Sequence, residues 1–185
     1  MRIRLYTSLG LLALLAFCGC GGGSSEVEKR AAEEAMNQAQ SAHADLLAPN
    51  QFQEAQKAWE HAQAAAKEGK TSSAKVLFAS AKIYFAKSAE IAKNNREALI
   101  RQLDGLEVAI NGNFDDVKKD LSKNKLSPKD QAQVKAISAE IVEGQASITK
   151  LESQQDLFKA VATAKEVQKK IYNAQLILAG QKPHK

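Results

Sequence analysis

Beyond residue 20 the sequence has no cysteine. That excludes a disulfide within the rest of the chain and any thiolate metal site there. Aromatic residues make up only 5%, there are three prolines, and strand-type clusters of aromatic and β-branched residues are missing. A β-rich fold is therefore excluded. After Arg4 the only arginines are Arg30, Arg96 and Arg101, and lysines alternate with acids through every segment. This lacks the clustered basic face of a nucleic-acid-binding protein, so no nucleic-acid partner is expected. There is no HExxH, GxSxG, P-loop or dinucleotide fingerprint. No catalytic residue, cofactor site or metal site is read from the sequence, and the chain is expected not to be an enzyme.

What the sequence has in quantity is alanine, glutamine, lysine and glutamate, all strong helix formers. The expected class is all-α, with antiparallel helical hairpins packed into a bundle. The net charge is +5 over 185 residues, with charged residues at 25%. Without Arg2 and Arg4 it falls to +3, the balance of a mixed-sign solvated helix surface.

The first residues differ from the rest. Arg2 and Arg4 precede an apolar run from Leu5 to Phe17, then Cys18-Gly19-Cys20 and the stretch Gly21-Gly22-Gly23-Ser24-Ser25. The order is that of a secretory signal, and the run is shorter than the ~20 residues a membrane span needs. The arrangement resembles the lipobox of bacterial lipoproteins, in which an acylated cysteine becomes the mature N-terminus. Small Gly19 precedes Cys20, so the resemblance implies Cys20 as the lipidated residue. The leucine usual three positions before the cysteine is Phe17 for Cys20 and Leu15 for Cys18, which keeps Cys18 as the alternative. Residues 1–19 then read as signal peptide and 20–25 as lipidated cysteine and Gly/Ser tether. Gly21 replaces the aspartate that favours inner-membrane retention in enteric bacteria, so the outer membrane is expected over the inner.

The remaining 166 residues suffice for one modest core. A first helix is expected over about 25–47, with Ala32, Ala35, Ala39, Ala42 and Leu46 on one face. Ala48-Pro49 breaks it, and Asn50 is the candidate N-cap of a second helix over about 51–68. Phe52, Ala55, Trp59, Ala62 and Ala66 line that helix, and Gly69 is expected to end it in a left-handed conformation. A third helix over about 73–110 carries two stripes: Ala74, Phe78, Ala81, Phe85, Ser88 and Ala92, then Leu77, Tyr84, Ile91 and Ala98. Two apolar faces predict a central position, and Asn94-Asn95 is a candidate bend. Asn111-Gly112-Asn113 reads as a turn closing an alanine-rich domain over 26–112. A C-terminal helical hairpin is expected over 113–185. In it, a short helix near 114–121 and a linker over 122–126 precede a helix capped by Ser127 with Pro128 at its first position. A last helix begins near Ser153 and stops at Gly180 and Pro183.

Residues 31–98 resemble a family of alanine-rich bacterial envelope lipoproteins of unknown function (number four-three-nine-eight). The matching features are Ala39, Ala42, Leu47-Ala48-Pro49, Phe52, Ala55, Ala62, Gly69, Ala74, Ala81, Ala89 and Ala92. The resemblance implies an envelope location and tetratricopeptide-like hairpins, and it supplies no activity. Together with the lipobox it implies a periplasm-facing lipoprotein. Its expected partners are the membrane, through the lipid, and an envelope protein or peptidoglycan. A lipid or small-molecule carrier with a cavity between the central helix and its neighbours is the alternative.

The remaining candidates each have a plainer reading. His43, His61 and His184 stand apart in sequence, and exposed histidines are expected rather than ligands. Asp115-Asp116 and Asp120 are spaced like a helix start rather than a calcium loop. Trp59, Phe78, Tyr84 and Phe85 read as core of a hairpin, with a ligand groove as the alternative. Gly144 marks either a close helix approach or a mild helix defect. The basic stretch Lys182 to Lys185 reads as a frayed terminus, with contact to anionic lipid or peptidoglycan as the alternative.

Overall fold

The computed structural model describes residues 24–181, and these form six helices and no strand. They are α1 (Glu26–Ser41), α2 (Ala44–Leu47), α3 (Pro49–Lys67), α4 (Thr71–Lys123), α5 (Pro128–Ser153) and α6 (Leu157–Leu178). The all-α expectation holds. No described helix is long and apolar enough to cross a membrane. The signal, Cys18, Cys20, Gly21 to Gly23, Pro183, His184 and the stretch Lys182 to Lys185 lie outside the described residues.

α4 organises the molecule. At 1.5 Å per residue its 53 residues extend about 80 Å. Its first half is flanked by α1 and α3. Phe52 meets Phe85, and Trp59 meets Phe78, so α3 runs antiparallel to α4. The end of α1 lies beside Ala89 and Lys93, so α1 runs parallel to α4. The second half packs on α6, which packs in turn on α5. Glu140–Lys170 and Gly144–Val167 contacts make α5 and α6 antiparallel. The molecule is thus two three-helix groups joined end to end through one shared helix, with the short α2 added to the first group. Each group has its own core. The first is built mainly from alanines with Phe52, Phe78 and Phe85, the second from residues such as Ile110, Ile141, Ile148 and Ile171.

The expected turn at Asn111-Gly112-Asn113 is not a turn. The helix passes through it, so the expected third helix ending at 110 and the short helix at 114–121 are one element that reaches Lys123. The expected boundary between residues 112 and 113 falls inside this helix, whereas Leu99 lies against both cores. The reason is packing: Ile110, Phe114 and Val117 are buried on either side of Gly112. The Asn111 carboxamide, which would otherwise compete for backbone, accepts a hydrogen bond from Gln145 Nε2 at 2.8 Å. Burying three large side chains outweighs the ~1 kcal/mol cost of glycine. Asp115, Asp116 and Asp120 are consequently exposed positions within the helix, not a helix start, and Asp115 pairs with Lys118.

The first expected helix is also two elements. It breaks at His43, whose φ is 54°, and the chain re-enters helix as α2. The break shifts the buried face. Ala32, Ala35 and Ala39 are buried as expected, but Ala44 and Leu47 follow them in place of Ala42 and Leu46. α3 starts at Pro49, before Asn50, because the proline ring is already set for a first helical turn. Within it Ala65, not Ala66, is buried. α6 starts at Leu157 rather than near Ser153. Ser127 caps α5 as expected, its Oγ accepting the Asp130 N–H at 3.1 Å. Tyr84 and Ala98 of the second α4 stripe face solvent.

Candidate functional site

The two three-helix groups meet at the middle of α4, and the connections α1–α2 and α5–α6 both turn there. Each α-helix ends by presenting unpaired carbonyls. At Gly69 the chain satisfies them with two reversed bonds, Gly69 N–H to Ala66 O and Lys70 N–H to Ala65 O. The same pair closes α6 at Gly180, and both glycines have positive φ. α5 ends with the same bonds, Gln155 N–H to Glu152 O and Asp156 N–H to Leu151 O, but a glutamine holds the left-handed position at φ 60°. His43 holds the other one. These are the two non-glycine residues with positive φ among the described residues. A side chain there costs ~1–2 kcal/mol, and such strain collects at functional sites.

Both residues line one cleft. It measures about 750 Å³ and is bounded by Leu46, Leu47, Arg96 and the 153–159 turn together with His43. Arg96 projects from α4 between the two turns, and its Nη1 donates to Gln155 Oε1 at 3.3 Å. Among the described residues no carboxylate lies within ion-pair distance of Arg96. Glu90 borders a smaller cleft on its other side. The remaining charges of the cleft are spent on each other. Asp156 Oδ2 accepts from Lys159 Nζ at 2.7 Å, and Asp156 Oδ1 accepts the Lys159 N–H at 3.3 Å as an N-cap. These two hydrogen bonds hold the Asp156 carboxyl below its usual range, and the same contact raises Lys159. Arg96 is left as the uncompensated cation.

The other wall is apolar. Leu46 is 63% exposed and Phe158 is 51% exposed, and with Leu47 they continue into an adjoining cleft past Pro49, Ala98 and Leu99. Asn95 Nδ2 donates to Leu47 O at 2.7 Å, which ties this wall to α4. A cationic end and an apolar floor can hold an amphipathic ligand.

The residues singled out from the sequence distribute differently. His43 lies in the cleft, and exposed His61 lies twelve residues along α3 from its start, so the two do not meet. No group of three His, Cys, Asp or Glu among the described residues could hold a metal ion. Trp59, Phe78 and Phe85 belong to the first core rather than to a groove, with Trp59 and Phe78 centroids 5.1 Å apart. Gly144 is a close approach: a Cβ there would collide with Val167 Cγ2. The 750 Å³ cleft lies at the joint between the groups, not between α4 and its flanking helices as the carrier alternative supposed. Sequence reading passed over Arg96, Gln155 and Phe158. The available signal was Arg96 itself, one of three arginines after residue 4. No protein-family model, curated protein or solved structure matches the chain.

Proposed function

We propose that this is a lipid-anchored, periplasm-facing lipoprotein of the bacterial envelope, a member of the alanine-rich family named above, acting by binding and not by catalysis. The carrying observation is the order Arg2, Arg4, the apolar run to Phe17, then Cys18-Gly19-Cys20, with α1 beginning at Glu26 soon after. Two or more acyl chains give stable anchoring at ~0.8 kcal/mol per buried methylene. The helices then present a surface to an envelope protein or to peptidoglycan, on the outer membrane by preference. Labelling with palmitate tests the anchor. The wild-type chain takes up label and sediments with membranes, and Cys20→Ala loses both. Retention of label in Cys20→Ala with its loss in Cys18→Ala moves the lipid to Cys18. An unlabelled wild-type chain in the cytosol overturns the reading.

A second reading, carriage of a lipid or small molecule, is favoured by one observation, the waist cleft with its strained turns and unpaired Arg96. Mass spectrometry of the protein isolated from membranes under native conditions tests it through co-isolated small molecules.

A further inference from the structure

We infer that the waist cleft binds a single-chain amphiphile with a carboxylate head, the carboxylate on Arg96 and the chain along Leu46, Leu47, Leu99 and Phe158. This rests on the second reading above and names its ligand; it does not depend on acylation of Cys20.

Charge selects the head group. Arg96 is half-buried and its one hydrogen bond is to the neutral Gln155 carboxamide. A guanidinium presents five donors in a planar fork that matches a carboxylate, so several remain for a ligand. Asp156 does not compete, because Lys159 holds it from both its side chain and its backbone. Gln155 adds direction. Its left-handed backbone closes α5 in one residue and turns its carboxamide toward Arg96. The amide N–H₂ of the same group takes no part in that bond.

Shape selects the tail. From Arg96 the apolar wall follows α4 past Leu99 to Gln102, about 9 Å along the helix. The main cleft, at about 750 Å³, falls in the range of small-ligand sites, roughly 300–1,000 Å³. Leu46 is exposed only because the chain breaks at His43 and rotates Leu47 into the core in its place. Phe158 follows Leu157, which is buried, and so faces outward from the first turn of α6. The two backbone distortions therefore place one apolar side chain each at the mouth of the same cleft.

The test uses the full chain carrying both Cys18→Ala and Cys20→Ala, so that no acyl group of its own competes, and calorimetric titration with octanoate, decanoate and dodecanoate and with their methyl esters. Affinity is expected to rise about fourfold per added methylene until the wall is covered. Each acid is expected to bind at least tenfold more tightly than its ester. Arg96→Gln is expected to remove that acid-over-ester preference, and Phe158→Ser to weaken acid and ester alike. Both variants are expected to keep the melting temperature of the parent, since neither side chain belongs to a core. Equal binding of acid and ester, or an unchanged ratio in Arg96→Gln, overturns the inference. A co-isolated molecule without a carboxylate, lost in Phe158→Ser, also overturns it while leaving the cleft a ligand site. If no amphiphile binds and nothing is co-isolated, the inference and the carrier reading fail together, and the anchor is unaffected.

Discussion

Alanine supplies eleven of the fifteen buried core residues in the first three-helix group and three of fifteen in the second. The second group fills its core with isoleucine and valine, and in each group one long helix, α4 in the first and α6 in the second, is flanked by two others. Alanine permits close helix approach but buries little area per residue. The first group therefore depends on a few large side chains, Phe52, Phe78 and Phe85, with Trp59 packed beside them. The second spreads the same task over many medium ones. Concentrated and distributed cores respond differently to damage.

The largest effect should come from Phe85→Ala, which leaves a void no neighbouring alanine can fill. We expect a loss of about 3–5 kcal/mol. Trp59 is the sole tryptophan and reports the first group, while circular dichroism reports both. Phe85→Ala should lower the fluorescence midpoint ahead of the dichroism midpoint. Coincident midpoints would make the two cores one cooperative unit.

Gly144→Ala sharpens the comparison in the second group. The new methyl meets Val167, so about 1–3 kcal/mol should be lost despite the better helix propensity of alanine. Val167→Ala should recover most of it in a double-mutant cycle, and additive losses would show that the contact is not the cause. Between the groups, Gln155→Gly should stabilise the chain by about 1 kcal/mol by relieving the left-handed turn, read in urea titration. A loss there would mean that its bond to Arg96 outweighs the strain. Gly112→Ala should stabilise by about 0.5–1 kcal/mol, because the position is helical and a Cβ there meets nothing within 4 Å. If it destabilises, the chain turns at this point after all.

The smallest effect concerns Glu107 on α4. Burial first, then the charges of Glu152 and Asp104, raise its carboxyl above the usual range. The folded state thus holds a proton that the unfolded state has released. Stability should fall as pH rises from the ordinary glutamate range through the raised value. Glu107→Gln should flatten that slope and be slightly more stable than the parent at neutral pH. An unchanged slope in chemical denaturation of Glu107→Gln from acidic to neutral pH would exclude Glu107 as its source.

Local chemistry explains which elements were legible. Ser127-Pro128 and Gly69 act through backbone geometry within a few residues, and both function as their sequence suggests. Asn111-Gly112 carries the same kind of local signal but is overruled by Ile110, Phe114 and Val117, whose partners lie on distant helices. The break at His43 and the turn at Gln155 carry no proline or glycine. Nothing local marks them as left-handed. The cleft draws on residues 43–47, 96–99 and 153–158, and only the folding back of α5 and α6 beside α4 unites them. Its chemistry is a product of topology, which no window of sequence contains.

Because α1 and α4 point the same way, the chain enters beside the α3–α4 turn, at one extremity of the α4 axis. Were that entry fixed to a bilayer and the axis upright, Arg96 would ride roughly 40 Å above the headgroups, midway up a mast. The 124–127 turn and the end of α6 would top it at twice that elevation. An unbroken α4 would then serve as a ruler that sets the working height of the cleft.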